Sequence, residues 1–165
     1  MGNYKDLELD FIERTISLIS QYDQLLIATD IPFEEQYNYT LLINCLLGLI
    51  VLPKQRTRSY IPKTLITSDL KKEMGLTNSI ISSNINNLRD LVMQLRNSIA
   101  HFDLEILSYD KKFLVDEIIF RNTNDPEEGE IIVKFSAKEL LGFLRYYSNC
   151  LISNLKKYRN NNPAN

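Results

Sequence analysis

The sequence predicts a mainly α-helical fold, a helical bundle with a β-hairpin inserted before its last helix, from three observations. Apolar residues recur at helical spacing in four long segments. Two runs rich in β-branched and aromatic residues, 113–120 and 130–135, flank a turn-forming stretch. The chain has 165 residues with few Gly and Pro, enough to bury one core without disulfides or metals. We therefore expect a single domain over 1–159 and a disordered tail over 160–165.

Ordinary start and stop signals bound the predicted helices. The first helix is expected over 5–28 and the second over 33–52, with acidic residues in the first turn of the second. A short helix over 68–74 should end at Gly75. The next helix should end around His101, and its apolar stripe consists of Leu88, Leu91, Val92, Leu95 and Ile99.

The last helix is predicted to begin with a capping box, Ser136-Ala-Lys-Glu139, and to run to about Tyr158.

The second predicted helix is apolar nearly all round between Leu41 and Leu52. Such a helix is either central in the core or covered by another subunit, and this run is too short to span a bilayer. Asn44 interrupts it. A buried amide there would need a partner, either the motif described below or an interfacial group, so Asn44 is a secondary candidate site residue.

The net charge is −2, which excludes an overall basic field of the kind expected for a tight nucleic-acid binder. Bases prevail locally over 54–72, where Lys54, Arg56 and Arg58 either bind an RNA backbone or belong to a solvated loop. The two cysteines lie in apolar helical stretches and predict free thiols in a reducing compartment. Metal-ligand spacing and a signal peptide are absent, so we expect a cytoplasmic protein without a cofactor.

The single histidine lies in the segment Leu95-Arg96-Asn97-Ser98-Ile99-Ala100-His101-Phe102. On an ideal helix Asn97 and His101 are neighbours on one face, whereas Arg96 lies on the flank, about 140° from His101. If the helix ends near His101, both ring nitrogens are reachable.

These side chains suit RNA cleavage without a metal. The ribose 2′-hydroxyl is a nucleophile beside its own phosphate, His can act as acid or base near neutral pH, and Arg can hold phosphate oxygens in a bidentate fork. Asn97 can orient the imidazole or hold a phosphate oxygen. Because one histidine cannot easily be both base and acid, the chemistry favours a homodimer in which two copies of His101 and Arg96 share a cleft.

The same residues also have an ordinary structural interpretation. A lone His near a helix end often caps the C-terminus and interacts favourably with the helix dipole. An Arg and an Asn on a helix are usually surface residues. The residues by themselves leave both interpretations open.

The segment Leu-Arg-Asn-Ser-Ile-Ala-His resembles the RNxxxH signature of HEPN domains, in which four to six residues separate the Arg from the His. The stretch 44–54, and the hairpin followed by a capped final helix, also resemble a bacterial HEPN group, so the resemblance covers about residues 10–157. It implies a helical bundle, a dimer and a metal-independent endoribonuclease with Arg96, Asn97 and His101 as its site. Such proteins are often toxins or phage-defence effectors. Many relatives have His-Gly-Asn after the motif, whereas this chain has His101-Phe102-Asp103, a difference that can reshape the cleft.

Two other functions fit the same resemblance. HEPN-like bundles also serve as non-catalytic partners of nucleotidyltransferase-type proteins or as regulatory subunits. A HEPN domain that binds a small nucleotide is also compatible with the motif, with Arg96 and His101 holding its phosphates. The near-neutral charge favours these alternatives slightly, whereas the intact motif with the sole His favours the ribonuclease. We adopt the ribonuclease hypothesis, with an antitoxin or a nucleotidyltransferase as a candidate protein partner.

Overall fold

The computed structural model describes residues 4–32, 35–51, 61–109, 115–122 and 129–161. Its α-helices are α1 Leu7–Ala28, α2 Asn38–Val51, α3 Ser68–Glu73, α4 Leu88–His101 and α5 Leu140–Asn161. Its strands are β1 Ile80–Ile81, β2 Leu104–Leu107, β3 Glu117–Asn122 and β4 Glu130–Ser136. The fold is therefore mainly α-helical, as predicted. The chain divides into two compact units, one within Met1–Tyr60 and Tyr147–Asn165, the other within Ile61–Tyr146.

The first unit is built on the packing of α1 against α2. The side chain of Asp6 caps α1 by accepting a hydrogen bond from the backbone N–H of Leu9 at 3.2 Å. Arg159, near the end of α5, forms ion pairs with Asp6 and Glu8. The buried apolar side chains of this unit are Ile12, Ile19, Leu42, Cys45, Leu46, Leu49, Ile50, Tyr147, Leu151 and Leu155.

Helix α2 begins at Asn38, five residues later than predicted. Two hydrogen bonds of the residues directly before α2 accompany this later start. The Gln36 amide donates a hydrogen bond to the carbonyl of Ile31 at 3.1 Å, and the backbone N–H of Tyr37 donates to the Tyr22 hydroxyl at 2.7 Å. In a helix that began at residue 33, the backbone N–H of Tyr37 would instead donate to the carbonyl four residues earlier in the chain. Of the two acids expected in its first turn, Glu35 lies outside α2 and Glu34 lies outside the described residues.

The face of α2 that carries Asn44 is turned away from the core. Asn44 is exposed, so its amide can bond to water and needs no protein partner, contrary to the expectation of a buried amide. Its neighbours one turn on either side, Thr40 and Gly48, are exposed and half-buried. The buried face lies on the opposite side of the helix. The apolar run of α2 is therefore not buried on all sides.

The second unit contains a four-stranded antiparallel sheet in the order β1-β4-β3-β2. The two predicted strand runs correspond to β3 and β4, which pair antiparallel; residues 123–128 between them lie outside the described residues. The sequence did not predict β1 and β2, which extend this pair on both sides. Helix α4 packs against β3 and β4. The core includes Phe120 and Phe135 in edge-to-face contact, with ring centroids 5.9 Å apart.

The predicted capping box before α5 is wrong. Ser136 makes no side-chain cap bond, and residues Ala137–Glu139 form one 3-10 turn that leads into α5 at Leu140. The reason is that the Glu139 carboxylate serves a distant loop. It accepts backbone and side-chain hydrogen bonds of 2.6–3.0 Å from each of Thr77, Asn78 and Ser79.

Burial by itself would raise the pKa of Glu139. The hydrogen bonds from the side chains of Thr77 and Ser79 and from the backbone of Asn78 and Ser79 outweigh that effect and lower its pKa from 4.5 to about 2. The carboxylate is thus a buried anion stabilised by donors of the loop that leads into β1.

The sequence also led to expectations about the cysteines and about membrane-spanning helices. Cys45 and Cys150 are both free, and Cys45 is buried, which raises the pKa of its thiol. Within the described ranges, no helix combines the length and the apolar character that crossing a bilayer requires.

Candidate functional site

Helix α4 carries the motif and is fixed at its start. The side chain of Asn87 accepts a hydrogen bond from the backbone N–H of Asp90 at 3.0 Å and donates to the Asp90 carboxylate at 2.5 Å. The guanidinium of Arg89 donates to the carbonyl oxygen of Ile61 at 2.6 and 2.9 Å. The buried side of the helix consists of Leu88, Leu91, Val92, Leu95 and Ser98.

That buried stripe determines where the motif residues lie. Asn97 and His101 are both exposed, whereas Arg96 is half-buried at the edge of the stripe. One turn separates Asn97 from His101, so their side chains are neighbours on the solvent face. Arg96 and His101 are separated by about 140° around the axis and about 7.5 Å along it. Within one chain, therefore, Asn97 and His101 share a face and Arg96 points away from it.

The helix ends immediately after the motif, as the sequence predicted. The backbone N–H of Phe102 donates to the carbonyl of Ile99 at 3.1 Å, and that of Asp103 donates to the carbonyl of Ser98 at 2.8 Å. These two bonds form a Schellman motif with Phe102 at the position where Gly is usual. Phe102 adopts φ 60° and ψ 33°, a left-handed conformation that costs a non-glycine residue about 1–2 kcal/mol.

Ser98 and Asp103 anchor the end of α4 to the sheet. The buried hydroxyl of Ser98 donates to the carbonyl oxygen of Asp103 at 2.7 Å, and the backbone N–H of Arg121 in β3 donates to the same oxygen at 3.0 Å. This double contact holds the turn that directly follows His101. Sequence reasoning missed Ser98, although a small polar residue at a core position of the predicted helix was the available signal.

The Asp103 carboxylate does not simply extend into solvent beside His101. Asp103 is half-buried, and its Oδ2 atom is buried without a hydrogen-bond partner among the described residues. The expected effect of this acid on the cleft is therefore less direct than its place in the sequence suggested.

We expect Ser98→Ala to lower the free energy of unfolding by about 1 kcal/mol, because the Asp103 carbonyl loses one of its two donors. Urea unfolding of wild type and variant measures the effect. Ser148→Ala is the matched control, because Ser148 is fully buried and its hydroxyl has no partner among the described residues. Equal losses of stability in the two variants would contradict the anchoring role.

The remaining candidate residues are placed as follows. Lys54, Arg56 and Arg58 lie outside the described residues. Asn44 is exposed on α2 and belongs to the other compact unit. In the part of the chain that the structure describes, no three His, Cys, Asp or Glu side chains are grouped closely enough to hold a metal ion.

A family model described as HEPN pEK499 p136 matches residues 1–158. Neither the comparison with curated proteins nor that with solved structures finds a match.

Proposed function

Because the chain belongs to the HEPN pEK499 p136 family, we propose that it is a metal-independent endoribonuclease whose active site forms between two copies of the chain. The observation that carries this proposal is the exposure of His101 beside Asn97 on the solvent face of α4. An imidazole that serves only as a helix cap does not require an exposed amide one turn before it. The helical bundle and the dimer of HEPN type are part of the same proposal.

The proposed reaction needs three functions from the protein. The functions are a base, an acid and a cation that binds the phosphate. The base takes the proton of the ribose 2′-hydroxyl as the 2′-oxygen attacks phosphorus. The acid protonates the leaving 5′-oxygen as the P–O5′ bond breaks. The products are a 2′,3′-cyclic phosphate and a 5′-hydroxyl. In this scheme the imidazole of His101 carries out proton transfer, Arg96 neutralises the phosphate, and Asn97 orients the imidazole or binds a phosphate oxygen.

The position of Arg96 supports a site composed of two chains. Within one helix its side chain starts about 140° away from that of His101, so the two do not converge on one phosphate without a second helix. A two-fold axis near the end of α4 would supply a second imidazole and a second guanidinium to the same cleft. The base and the acid would then be the two copies of His101.

A subunit-mixing experiment tests this shared site. Wild-type and His101→Ala proteins with different tags are mixed in equal amounts and allowed to exchange subunits. The mass of dimers that carry both tags shows that exchange has occurred. If each site needs both histidines, activity per wild-type chain should fall to about half, because only about one dimer in four is then wild type on both sides. Unchanged activity per wild-type chain would mean that each chain cleaves alone.

The near-neutral charge supports a second candidate, a non-catalytic module that binds a nucleotide or another protein. In that case Arg96 and His101 would hold phosphates, and their replacement would weaken binding without abolishing any cleavage. A role as a toxin or phage-defence effector, with an antitoxin or nucleotidyltransferase partner, belongs to the ribonuclease proposal. Toxicity on expression that His101→Ala relieves would support that role.

A further inference from the structure

Phe102 occupies a position that folding alone does not explain. It is the one non-glycine residue with positive φ among the described residues, at a helix end where Gly adopts this conformation without strain. Its side chain is 79% exposed, so burial of the ring contributes little stability to offset the strain of the backbone. A bulky aromatic residue is thus kept in a strained conformation with its ring in solvent.

The adjacency of Phe102 to His101 in the chain suggests a use for the exposed ring. The two residues are adjacent, and the turn that presents Phe102 is held by the Ser98 and Arg121 contacts to Asp103. If the imidazole of His101 serves the 2′-oxygen of a ribose or the next 5′-oxygen, the bases on either side of that phosphate lie in the immediate neighbourhood of Phe102. Unpaired RNA bases are commonly bound by stacking on aromatic side chains.

The charge around the motif indicates that base stacking would contribute more to RNA binding than phosphate attraction does. Between Leu95 and Leu107, Arg96 is the one Lys or Arg. Asp103 is an acid, and the charge of Glu105 is balanced by an ion pair with Arg121 of β3 at 3.1 Å. Phosphate attraction alone therefore gives a weak hold on RNA, whereas stacking on an aromatic ring does not depend on charge.

The same surroundings argue that Phe102 is not the main apolar anchor of the subunit contact proposed near the end of α4. The residues flanking it in the chain, Ala100, His101 and Asp103, are small or polar, and Ile106 in β2 is the next exposed large apolar side chain along the chain. A stable interface needs a larger contiguous apolar area than one ring supplies.

We infer that Phe102 is a base-stacking residue that positions an unpaired nucleotide next to the phosphate cleaved at His101. This inference rests on the proposed ribonuclease function and adds a residue that would hold the substrate, by stacking on an unpaired base beside the cleaved phosphate. It also gives a reason for the departure from His-Gly-Asn after the motif.

The test separates binding from cleavage. The probe is a short single-stranded RNA with 2-aminopurine beside the cleaved bond and a 2′-O-methyl group on the nucleotide that would attack, so that it binds but is not cut. Phe102→Leu should weaken binding about 5- to 150-fold and abolish the stacking quench of 2-aminopurine, whereas Phe102→Trp should retain both. With unblocked RNA, KM should rise in Phe102→Leu while kcat changes little. Tyr37→Leu, at another exposed aromatic residue, is the matched control and should behave as wild type.

Phe102→Gly provides a second discrimination, since it should unfold at higher denaturant concentration than wild type and still bind the probe weakly. The inference is overturned if Phe102→Leu binds and quenches like wild type, or if it loses the dimer. Quenched binding by a wild type that cuts no unblocked RNA would instead overturn the proposed function while leaving the stacking contact in place. Equal affinity of wild type for the probe and for its fully paired duplex would also overturn the inference.

Discussion

Replacing His101 by Ala should lower the rate of RNA cleavage by about 10²- to 10⁴-fold, the usual contribution of a positioned acid or base. The fold should be unaffected, because the side chain is exposed. Initial rates on total RNA and tRNA, together with circular dichroism and solution mass, measure the two effects. A variant that remains active within a few-fold would contradict the role of His101.

Arg96→Ala extends the same prediction and has a matched control on the same helix. Arg96 is half-buried and should be needed for phosphate binding, so its loss should reduce cleavage without changing the solution mass. Arg89 is also half-buried, but its guanidinium bonds to the carbonyl of Ile61. Arg89→Ala should therefore lower stability and leave the activity of the folded protein unchanged. Equal losses of activity in both variants would indicate a general effect of removing positive charge from α4.

Glu139→Gln should lower the free energy of unfolding by about 3 kcal/mol near neutral pH. Glu139 is 8% exposed, and its carboxylate accepts six hydrogen bonds from the loop 77–79. A glutamine would turn an NH₂ group toward donors and leave several of them unsatisfied. Urea unfolding of both proteins at pH 7 gives the difference directly.

The pH dependence of this difference follows from the lowered pKa of Glu139. Its pKa falls from 4.5 in the unfolded chain to about 2 in the folded one, so the stabilisation is complete above pH 4.5. It is lost as the pH falls from 4.5 toward 2, where the folded protein also takes up the proton, and amounts to about 3 kcal/mol by linkage. The stability gap between wild type and Glu139→Gln should therefore narrow over that range.

Glu73→Gln is the matched control for this prediction, because Glu73 is an exposed carboxylate at the end of α3. It should change stability by a few tenths of a kcal/mol at most. A gap between wild type and Glu139→Gln that stays constant down to pH 2 would show that the lowered pKa is not the source of the stabilisation.

The sequence predicted the parts of the site that depend on local periodicity. The apolar stripe of α4 predicted that the helix ends near His101 and that Asn97 and His101 lie on one face. The family resemblance based on that motif is confirmed. The predictions failed where a residue serves a partner far away in the chain. Glu139 looked like half of a capping box, yet its partners lie about sixty residues earlier.

Strands β1 and β2 show the same limit. Ile80–Ile81 and Leu104–Leu107 are too short for an alternating pattern, and each becomes a strand by pairing with a longer neighbour. The conformation of Phe102 could not be predicted either, since a helix end of this kind favours Gly. Asn44 was misjudged because periodicity in a nearly uniform apolar run gives little indication of which face is outermost.

The most direct test of the central claim is end analysis of RNA cut by purified wild-type protein in excess chelator. A defined single-stranded RNA is compared with the same sequence carrying 2′-deoxyriboses. The account predicts fragments with 2′,3′-cyclic phosphate and 5′-hydroxyl ends from the RNA, and no cleavage of the deoxy form. A folded protein that cuts neither, or fragments with 3′-hydroxyl and 5′-phosphate ends, would contradict it.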